Sequence, residues 1–287
     1  MSISLKSPAE IEEMHTACRL AAEVLDYIAP FVKAGVSTAE IDLLCSNYMT
    51  KVQHTTSATL NYAPPGYPPY PASICTALNH QVCHGIPGPK PLKKGDILNI
   101  DVTVVTQGGF YGDTSRMFVV GECSILAKRL CQVAFECMWL GIAAVRPGAR
   151  LGDVGHAIQR HAESNGFSVV REFCGHGIGR RFHEDPQVLH YGQPGTGVAL
   201  QPGMIFTIEP MINAGKAAIS ELPDGWTIVT RDRSLSAQWE HTVLVTESGV
   251  EVLSLSADCP PPSGLVGGAL ASATNAAIAA LEPAPLS

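Results

Sequence analysis

Apolar residues recur at three- and four-residue steps from Ile11 to Val32, which is the spacing of one buried helix face. Just before them, residues 7–10 (SPAE) have the pattern of a capping box with proline in the first turn. Gly35 follows the last apolar residue, so we predict that the first helix ends there. A second capping box at residues 37–40 (STAE) predicts another helix directly afterwards.

Further along the chain, apolar stretches alternate with breaks at proline and glycine, and residues 61–71 are predicted as a loop. We expect residues 1–255 to form a single domain. Residues 256–287 are rich in Pro, Gly, Ala and Ser, and we expect a mobile tail with a weak Ala-rich helix near 268–281. The other predicted elements are strands at 96–105 and 116–120, helices at 124–145 and 151–165, and strands at 203–212 and 241–246.

The chain contains an internal repeat, in which each half has two helices, a His-Gly-Ile segment, an acid-bearing strand and a second acid. Four matches in the same order predict an α+β domain with pseudo-twofold symmetry. A curved sheet built from both halves then brings the equivalent acids together at the axis. The matching pairs are residues 32–41 with 145–154, 83–86 with 175–178, 92–101 with 200–209 and, more weakly, Asp113 with Glu240.

The composition narrows the classes of function that the chain can have. A net charge of -7 without a basic run argues against nucleic acid as a partner. The first residues lack a secretory signal, and no apolar stretch is long enough to span a membrane. The nine cysteines are scattered without zinc spacing, so we expect reduced thiols in the core and a cytoplasmic protein.

Five polar residues stand in or near the predicted strands: Asp101, Asp113, His176, Glu209 and Glu240. The period-two geometry of a strand sets Asp101 on the face opposite its apolar neighbours. A carboxylate in such a strand is costly unless it is paired or bound to metal. A single acid is more often satisfied by backbone donors or an arginine, but acids at repeat-equivalent positions beside a histidine favour a metal site.

Oxygen and nitrogen donors without thiolate suit two divalent ions held about 3.5 Å apart, and Mn, Fe, Co and Zn all accept such a set. Ions of this kind polarise a carbonyl and activate water, so the pattern favours a metal-dependent hydrolase. His84 and His183, both in predicted loops, are further candidates. A lone surface histidine usually has no chemical role, but the repeat relates His84 to His176.

Six segments together resemble the type I methionine aminopeptidases of the short bacterial form, from about residue 7 to residue 254. HGIP and SLSAQ-x-EHT are the most specific parts, whereas GHGIG also occurs in prolidase and aminopeptidase P relatives. The segments are residues 82–88 (VCHGIPG), 99–105 (NIDVTVV), 110–118 (FYGDTSRMF), 172–191 (EFCGHGIGRRFHEDPQVLHY), 203–215 (GMIFTIEPMINAG) and 224–246 (DGWTIVTRDRSLSAQWEHTVLVT).

The resemblance implies the pita-bread fold and a metallo-exopeptidase. Such an enzyme removes the N-terminal methionine of nascent proteins whose second residue is small, by hydrolysis assisted by two metal ions. The resemblance also implies that Asp101 chelates one ion. By the same resemblance His176 and Glu209 bind the other ion, and Asp113 and Glu240 bridge the two.

Further roles follow from the same resemblance. His84 contacts the scissile peptide or the departing amine and acts in proton transfer. His183 hydrogen-bonds the substrate carbonyl and stabilises the oxyanion. Glu209 carries a proton from the attacking water.

The resemblance also implies two binding sites beside the metals. Asn79 and Ser236 match a site for a monovalent cation, Na or K. Tyr62, Cys75 and Trp226 match the pocket for the methionine side chain, where an apolar slot suits a flexible thioether. The implied partners are nascent polypeptide N-termini near the ribosome, and we expect a monomer without nucleic-acid or membrane partners.

The sequence departs from the family pattern at a few positions. One extra residue at 107–109 lies between the first two acids, and a hairpin turn can absorb it. The segment 62–72 is longer than usual, which leaves open whether Tyr67 or Tyr70 lines the pocket rim. Arg181 stands where glycine is common.

Two alternative functions are compatible with the same fold. The first is a prolidase-like or X-Pro peptidase, and the HGIP and SLSAQWEHT segments argue against it. A non-catalytic binding protein that has lost its metals is the other, and it conflicts with suitable residues at all five ligand positions. Comparing Met-Ala-Ser with Ala-Pro-Ala as substrates separates the first alternative, and metal analysis separates the second.

Overall fold

The computed structural model describes residues 3–256, 259–262, 264, 267 and 270. The Ala-rich helix predicted near 268–281 therefore lies, apart from Leu270, outside the described residues. The boundary predicted at residue 256 stays a prediction. Ser256 and Cys259 are both buried against the rest of the protein.

Helices and strands follow one another in two similar runs along the described residues. The helices are α1 (Pro8–Ile28), α2 (Thr38–Asn47), α3 (Ile125–Ala143) and α4 (Leu151–Ser164), with a 3-10 turn at Ala29–Phe31 and a π-helical turn at Tyr48–Val52. The strands are β1 (Thr56–Ser57), β2 (Cys75–Leu78), β3 (Gln81–Cys83), β4 (Ile97–Val105), β5 (Tyr111–Val119), β6 (Ser168–Val169), β7 (Gly175–Gly177), β8 (Glu184–Val188), β9 (Ile205–Ile208), β10 (Met211–Asn213), β11 (Ile219–Glu221), β12 (Ile228–Thr230), β13 (Ser236–Gln238), β14 (Glu240–Val245) and β15 (Val250–Val252).

Both predicted capping boxes are present at the starts of α1 and α2. The Ser7 and Ser37 side chains accept from backbone N–H groups three residues on, and the glutamates there accept from the serine N–H groups in return. The first helix ends at Ile28, earlier than predicted. Pro30 has no N–H with which to continue the α-helical ladder, so the chain tightens into the 3-10 turn instead.

Two strand predictions were wrong in their bounds. The strand predicted at 116–120 begins at Tyr111, because its polar first half at 111–115 pairs with residues 101–105 of β4. The strand predicted at 203–212 is divided into β9 and β10. The break falls at Glu209 and Pro210, since proline offers no N–H to a ladder and the Glu209 N–H donates to the His190 ring instead.

The main sheet is antiparallel, and its central strands run in the order β4-β5-β14-β9. This order is symmetric about the contact between β5 and β14. The first repeat contributes β4 and β5, and the second contributes β9 and β14. The arrangement is the one that the internal repeat predicts.

Each pair of helices covers the sheet strands of its own half. Ile41 of α2 and Val24 of α1 pack in one core cluster with Ile100 and Val102 of β4. Residues of α3 and α4 form a second cluster with β9 and β14. Because side chains alternate along a strand, the face of β4 that carries Asp101 is turned away from these helices.

The cysteines behave as predicted from their scattered positions. Seven of the nine cysteines are buried. Burial raises the pKa of Cys18 to about 12 and keeps that thiol protonated. Among the described residues, no helix combines the length and hydropathy needed to cross a membrane.

Candidate active site

Three carboxylates converge on the open face of the sheet at its symmetry centre. Asp101 comes from β4, Asp113 from β5 and Glu240 from β14, and their ligand atoms all lie within 4.8 Å of one another. The register explains this convergence, because Ser115 of β5 faces Asp101 on one side and Glu240 on the other. Asp113 and Glu240 are almost fully buried.

The second half of the chain adds a histidine and a fourth carboxylate. The Nε2 atom of His176 lies 3.6 Å from Oδ2 of Asp113 and 3.7 Å from Oε1 of Glu209. Its Nδ1 atom is 3.0 Å from the carbonyl oxygen of Gly177. Since a carbonyl only accepts, Nδ1 carries the proton, and Nε2 presents its lone pair to the carboxylates. A metal-binding imidazole has this tautomer.

The electrostatics of the four carboxylates fit divalent cations. Burial raises the pKa of Asp101 to about 7 and that of Glu209 to about 8. Burial and the neighbouring carboxylates raise the pKa of Asp113 and Glu240 well above the usual range. Among the described residues, no lysine or arginine lies within salt-bridge distance of the four. Bound cations would supply the missing positive charge, and the oxygen and imidazole donors suit divalent metals.

Glu209 is held by three neighbours that the sequence did not single out. Oγ1 of Thr207 donates to Glu209 Oε1 over 2.7 Å, and Nε2 of Gln238 donates to Oε2 over 3.2 Å. The fully buried His190 accepts from the Glu209 backbone N–H through Nε2 at 3.1 Å. Thr103 acts similarly in the first half, donating to Asp113 over 2.9 Å. Contacts of this kind fix the orientation of a ligand.

The two further histidines lie in the same cavity as the carboxylates. His183 shares a hydrogen bond of 3.0 Å with the Tyr62 hydroxyl, and its ring centroid lies 4.3 Å from that of His176. His84 packs edge-on against Phe173 and Trp226. Burial lowers the pKa of both His84 and His183 to about 4, so both rings are neutral at physiological pH.

The cavity has a volume of about 940 Å³, and all the carboxylates and histidines of the site line it. Tyr62, Cys75 and Trp226, predicted as the methionine pocket, come together in one apolar cluster that also contains Tyr70. The sequence left open which of two tyrosines lines the rim. Tyr70 is buried in the cluster, and Tyr67 is the exposed residue at the mouth, with its ring tilted against Trp226 at a centroid distance of 5.3 Å.

The predicted monovalent-cation residues are neighbours in the structure. The Ser236 N–H donates to the Asn79 carbonyl over 2.8 Å. Both side chains already have protein partners, because Asn79 bonds Asp96 and the Ile97 N–H, and Ser236 bonds Asn213. The pair therefore lies together as expected, and the cation itself stays a prediction.

The comparisons with known proteins agree with this geometry and define a class, the metallopeptidases. The model of metallopeptidase family M24 matches residues 12–247. The methionine aminopeptidase of Escherichia coli (strain K12) is 55% identical over 264 residues, which cover 92% of this chain and 98% of that protein. The methionine aminopeptidase of Rickettsia prowazekii is 52% identical over 91% of this chain and 100% of its own. The chain belongs to family M24, within its methionine aminopeptidases.

Solved structures give the same result for the fold. The crystal structure of the Rickettsia prowazekii methionine aminopeptidase matches with a TM-score of 0.85 at 52% identity, over 88% of this chain and all of that chain. The Thermotoga maritima methionine aminopeptidase matches with a TM-score of 0.84 at 40% identity, over 88% of this chain and 99% of that chain. The expected pita-bread fold is confirmed. Divalent metal dependence is a property of the family, and the carboxylate cluster is the candidate site for the ions.

Proposed function

We propose that the protein removes the N-terminal methionine from newly made proteins whose second residue is small, by peptide hydrolysis assisted by two metal ions. The observation that carries this proposal is an apolar cluster that lines the same cavity as five convergent candidate metal ligands. The proposal also draws on close relatives named methionine aminopeptidase, which this chain matches along nearly their whole length.

Divalent ions bound by Asp101, Asp113, His176, Glu209 and Glu240 would supply Lewis acidity for the substrate carbonyl and for water. The chain's own residues would transfer protons and hold the reacting groups in position. The Glu209 carboxylate lies in the metal-ligand cluster, 3.7 Å from Nε2 of His176, and would accept a proton from the attacking water and release it to the departing amine. Thr207 and Gln238 hold its two carboxylate oxygens in place for that transfer.

The two cavity histidines act on the peptide bond itself. We propose that His183 donates a hydrogen bond to the carbonyl oxygen as negative charge develops there. Its contact with the Tyr62 hydroxyl fixes the orientation of the ring. His84 lies across the cavity near Trp226 and contacts the nitrogen that departs. Both rings are neutral at pH 7, so each has a nitrogen that donates and one that accepts.

The selectivity for methionine follows from the apolar pocket. Trp226 is fixed because its Nε1 donates to the Pro68 carbonyl over 2.9 Å, and Tyr70 is fixed because its hydroxyl donates to the Gly85 carbonyl over 2.7 Å. With Cys75 they form a rigid slot without charged groups. An unbranched thioether fills such a slot well, whereas a charged side chain would lose its solvation.

The native ions are proposed from the same donor set. Co, Mn, Fe and Zn all accept mixed carboxylate and imidazole ligands, and a monovalent cation, Na or K, is proposed near Asn79 and Ser236. We further propose a monomeric enzyme of the cytoplasm that meets nascent chains near the ribosome. The mostly buried cysteines, which the sequence predicts as reduced thiols, are compatible with that compartment.

The test compares hydrolysis of Met-Ala-Ser and Ala-Pro-Ala by protein that has been stripped with a chelator and reloaded with each divalent ion in turn. We expect cleavage of Met-Ala-Ser only, with loss of activity on stripping and in Asp101→Asn. Asp153→Asn, which changes an acid at the start of α4 outside the cavity, is the matched control and should remain active. Preferred cleavage of Ala-Pro-Ala, or full turnover by metal-free Asp101→Asn, would contradict the proposal.

A further inference from the structure

A second, shallower cavity of about 300 Å³ adjoins the mouth of the main one. Four residues line both cavities: Tyr62, Arg181, Phe182 and His183. The two spaces therefore meet beside His183, which the proposed function sets against the scissile carbonyl. A peptide whose N-terminus occupies the main cavity can therefore extend past His183 into the second cavity.

The walls of the second cavity are aromatic and basic. The rings of Tyr111 and Phe182 are stacked 5.9 Å apart at 12°, and Tyr62 packs against Phe182 at 5.2 Å. Arg180 and Arg181 supply the charge, and none of the described residues that line this cavity is acidic. The main cavity differs, because Glu172, Glu184 and Asp185 line it together with the metal-ligand carboxylates.

The two arginines differ in what they contact. Nε of Arg180 lies 3.5 Å from the Glu10 carboxylate, and its guanidinium covers the Phe110 ring at 4.3 Å. Arg181 is held through its backbone, whose N–H donates to Glu184 over 3.2 Å and whose carbonyl accepts from the Gly179 N–H. Its exposed side chain has no carboxylate within salt-bridge distance among the described residues. The Arg181 backbone is thus fixed, while its guanidinium has no carboxylate partner among the described residues.

We propose that the second cavity binds the downstream part of the substrate, and that Arg181 selects substrates with a carboxylate side chain at the third or fourth residue. This inference rests on the proposed function. An extended chain advances about 3.4 Å per residue, so these positions lie outside the metal centre. A guanidinium offers paired donors that match a carboxylate, and the stacked rings supply an apolar wall for the peptide.

The test measures kcat/KM for peptides that differ only in charge: Met-Ala-Glu-Ser, Met-Ala-Gln-Ser and Met-Ala-Lys-Ser, and a second series with the varied residue in fourth place. We expect the wild-type enzyme to favour Glu over Lys about 1.5- to fivefold in one of the two series, the range that exposed ion pairs give. The preference should shrink as salt rises from about 0.05 M to about 0.5 M. Arg181→Gln should remove the preference, and Arg181→Glu should reverse it.

The ratio of Glu to Lys peptides is internal to each enzyme, so a change in overall turnover does not affect it. Arg160→Gln, which changes an exposed arginine of α4 that lines neither cavity, is the matched control and should keep the wild-type ratio. A wild-type ratio near one in both series, or an unchanged ratio in Arg181→Gln, overturns the inference while Met-Ala-Ser is still cleaved. Absence of cleavage of any Met-Ala peptide by the metal-loaded enzyme instead counts against the proposed function.

Discussion

The two halves of the molecule carry the same His-Gly-Ile segment and use it differently. In the second half, His176 stands inside β7 and its Nε2 faces the carboxylates. In the first half, His84 follows the end of β3 with a positive φ of 54°, and its ring packs on Phe173. The repeated motif thus differs between the halves both in backbone conformation and in what its histidine contacts.

Strand pairing explains the difference between the two histidines. β7 pairs with β9 and β8 in the main sheet, so His176 is carried to the symmetry centre. β3 pairs with β12 in a separate three-stranded sheet beside the cavity. The following glycine is required in both halves. A Cβ on Gly85 would lie 2.0 Å from the Thr76 carbonyl oxygen, and one on Gly177 would lie 2.2 Å from that of Asp185.

Removing each histidine is the strongest way to test this comparison. His176→Ala should lose divalent metal together with activity, because it deletes a ligand. His84→Ala should keep the metal and lose turnover of Met-Ala-Ser by about 10²- to 10⁴-fold, the usual contribution of a proton-transfer group. Metal content after dialysis and kcat, measured on the same samples, separate the two effects. Equal loss of metal in both variants would mean that the halves are chemically equivalent.

The loops that carry the cavity histidines are also held differently. Lys6 of the N-terminal arm forms a buried ion pair of 2.5 Å with Glu184, next to His183. The His84 loop is held within its own half by the Tyr70 hydroxyl, which donates to the Gly85 carbonyl. That carbonyl keeps a second donor in the Thr76 N–H. The segment before α1 therefore stabilises the His183 loop of the second half through this ion pair.

Lys6→Met should lower the free energy of unfolding by about 3–5 kcal/mol, because it leaves the Glu184 carboxylate buried without a counter-charge. Tyr70→Phe should cost about 1 kcal/mol, the net value of one hydrogen bond. Urea denaturation of the metal-loaded proteins measures both. The double variant Lys6→Met/Glu184→Gln should recover part of the loss. A Lys6→Met protein as stable as Tyr70→Phe would remove the ion pair from the account.

A smaller effect is the pH dependence of the stability of the metal-free protein. Asp101 contributes to it from the first half and Glu209 from the second. Their folded pKa values of about 7 and about 8 lie above those of an unfolded chain. The folded protein therefore keeps protons that the unfolded chain has released, and stability falls as pH rises through this range. The buried histidines, whose pKa values are lowered to about 3 or about 4, act oppositely, and their effect fades as pH rises above about 6.5; they are His84, His176, His183, His190 and His241.

The measurement is Tm of chelator-treated protein between about pH 7 and about pH 8, where histidines are mostly neutral in both states and the carboxylates dominate this balance. We expect Tm to fall with rising pH, and saturating divalent metal to abolish the fall. Asp101→Asn and Glu209→Gln should each make the slope shallower. A flat profile in the metal-free wild type would show that these carboxylates are not held in their protonated form.

Much of this architecture is readable from the sequence. The two capping boxes, the period-two pattern around Asp101 and the repeat predicted two helices, a central strand and a symmetric pairing of acids. These features are local, or they compare one segment with another. The residues that the family resemblance assigned to the metal centre and the methionine pocket all line one cavity in the structure.

The remaining contacts depend on tertiary packing and have no local signature. His190 reaches Glu209 from a neighbouring loop, and no spacing in the sequence relates the two. The hydrogen bond explains why the strand predicted at 203–212 breaks at that acid. Likewise the separate positions of Tyr67 and Tyr70 depend on how the loop at 62–72 folds onto Trp226. Only the structure shows that Arg181 borders two cavities.

The central claim is that the two halves build one centre for two metal ions. Anomalous diffraction from crystals of the protein grown with manganese tests it most directly. The account predicts two peaks about 3.5 Å apart, one beside Asp101 and one beside His176 and Glu209, with Asp113 and Glu240 between them. A single peak, or peaks away from these residues, would contradict it.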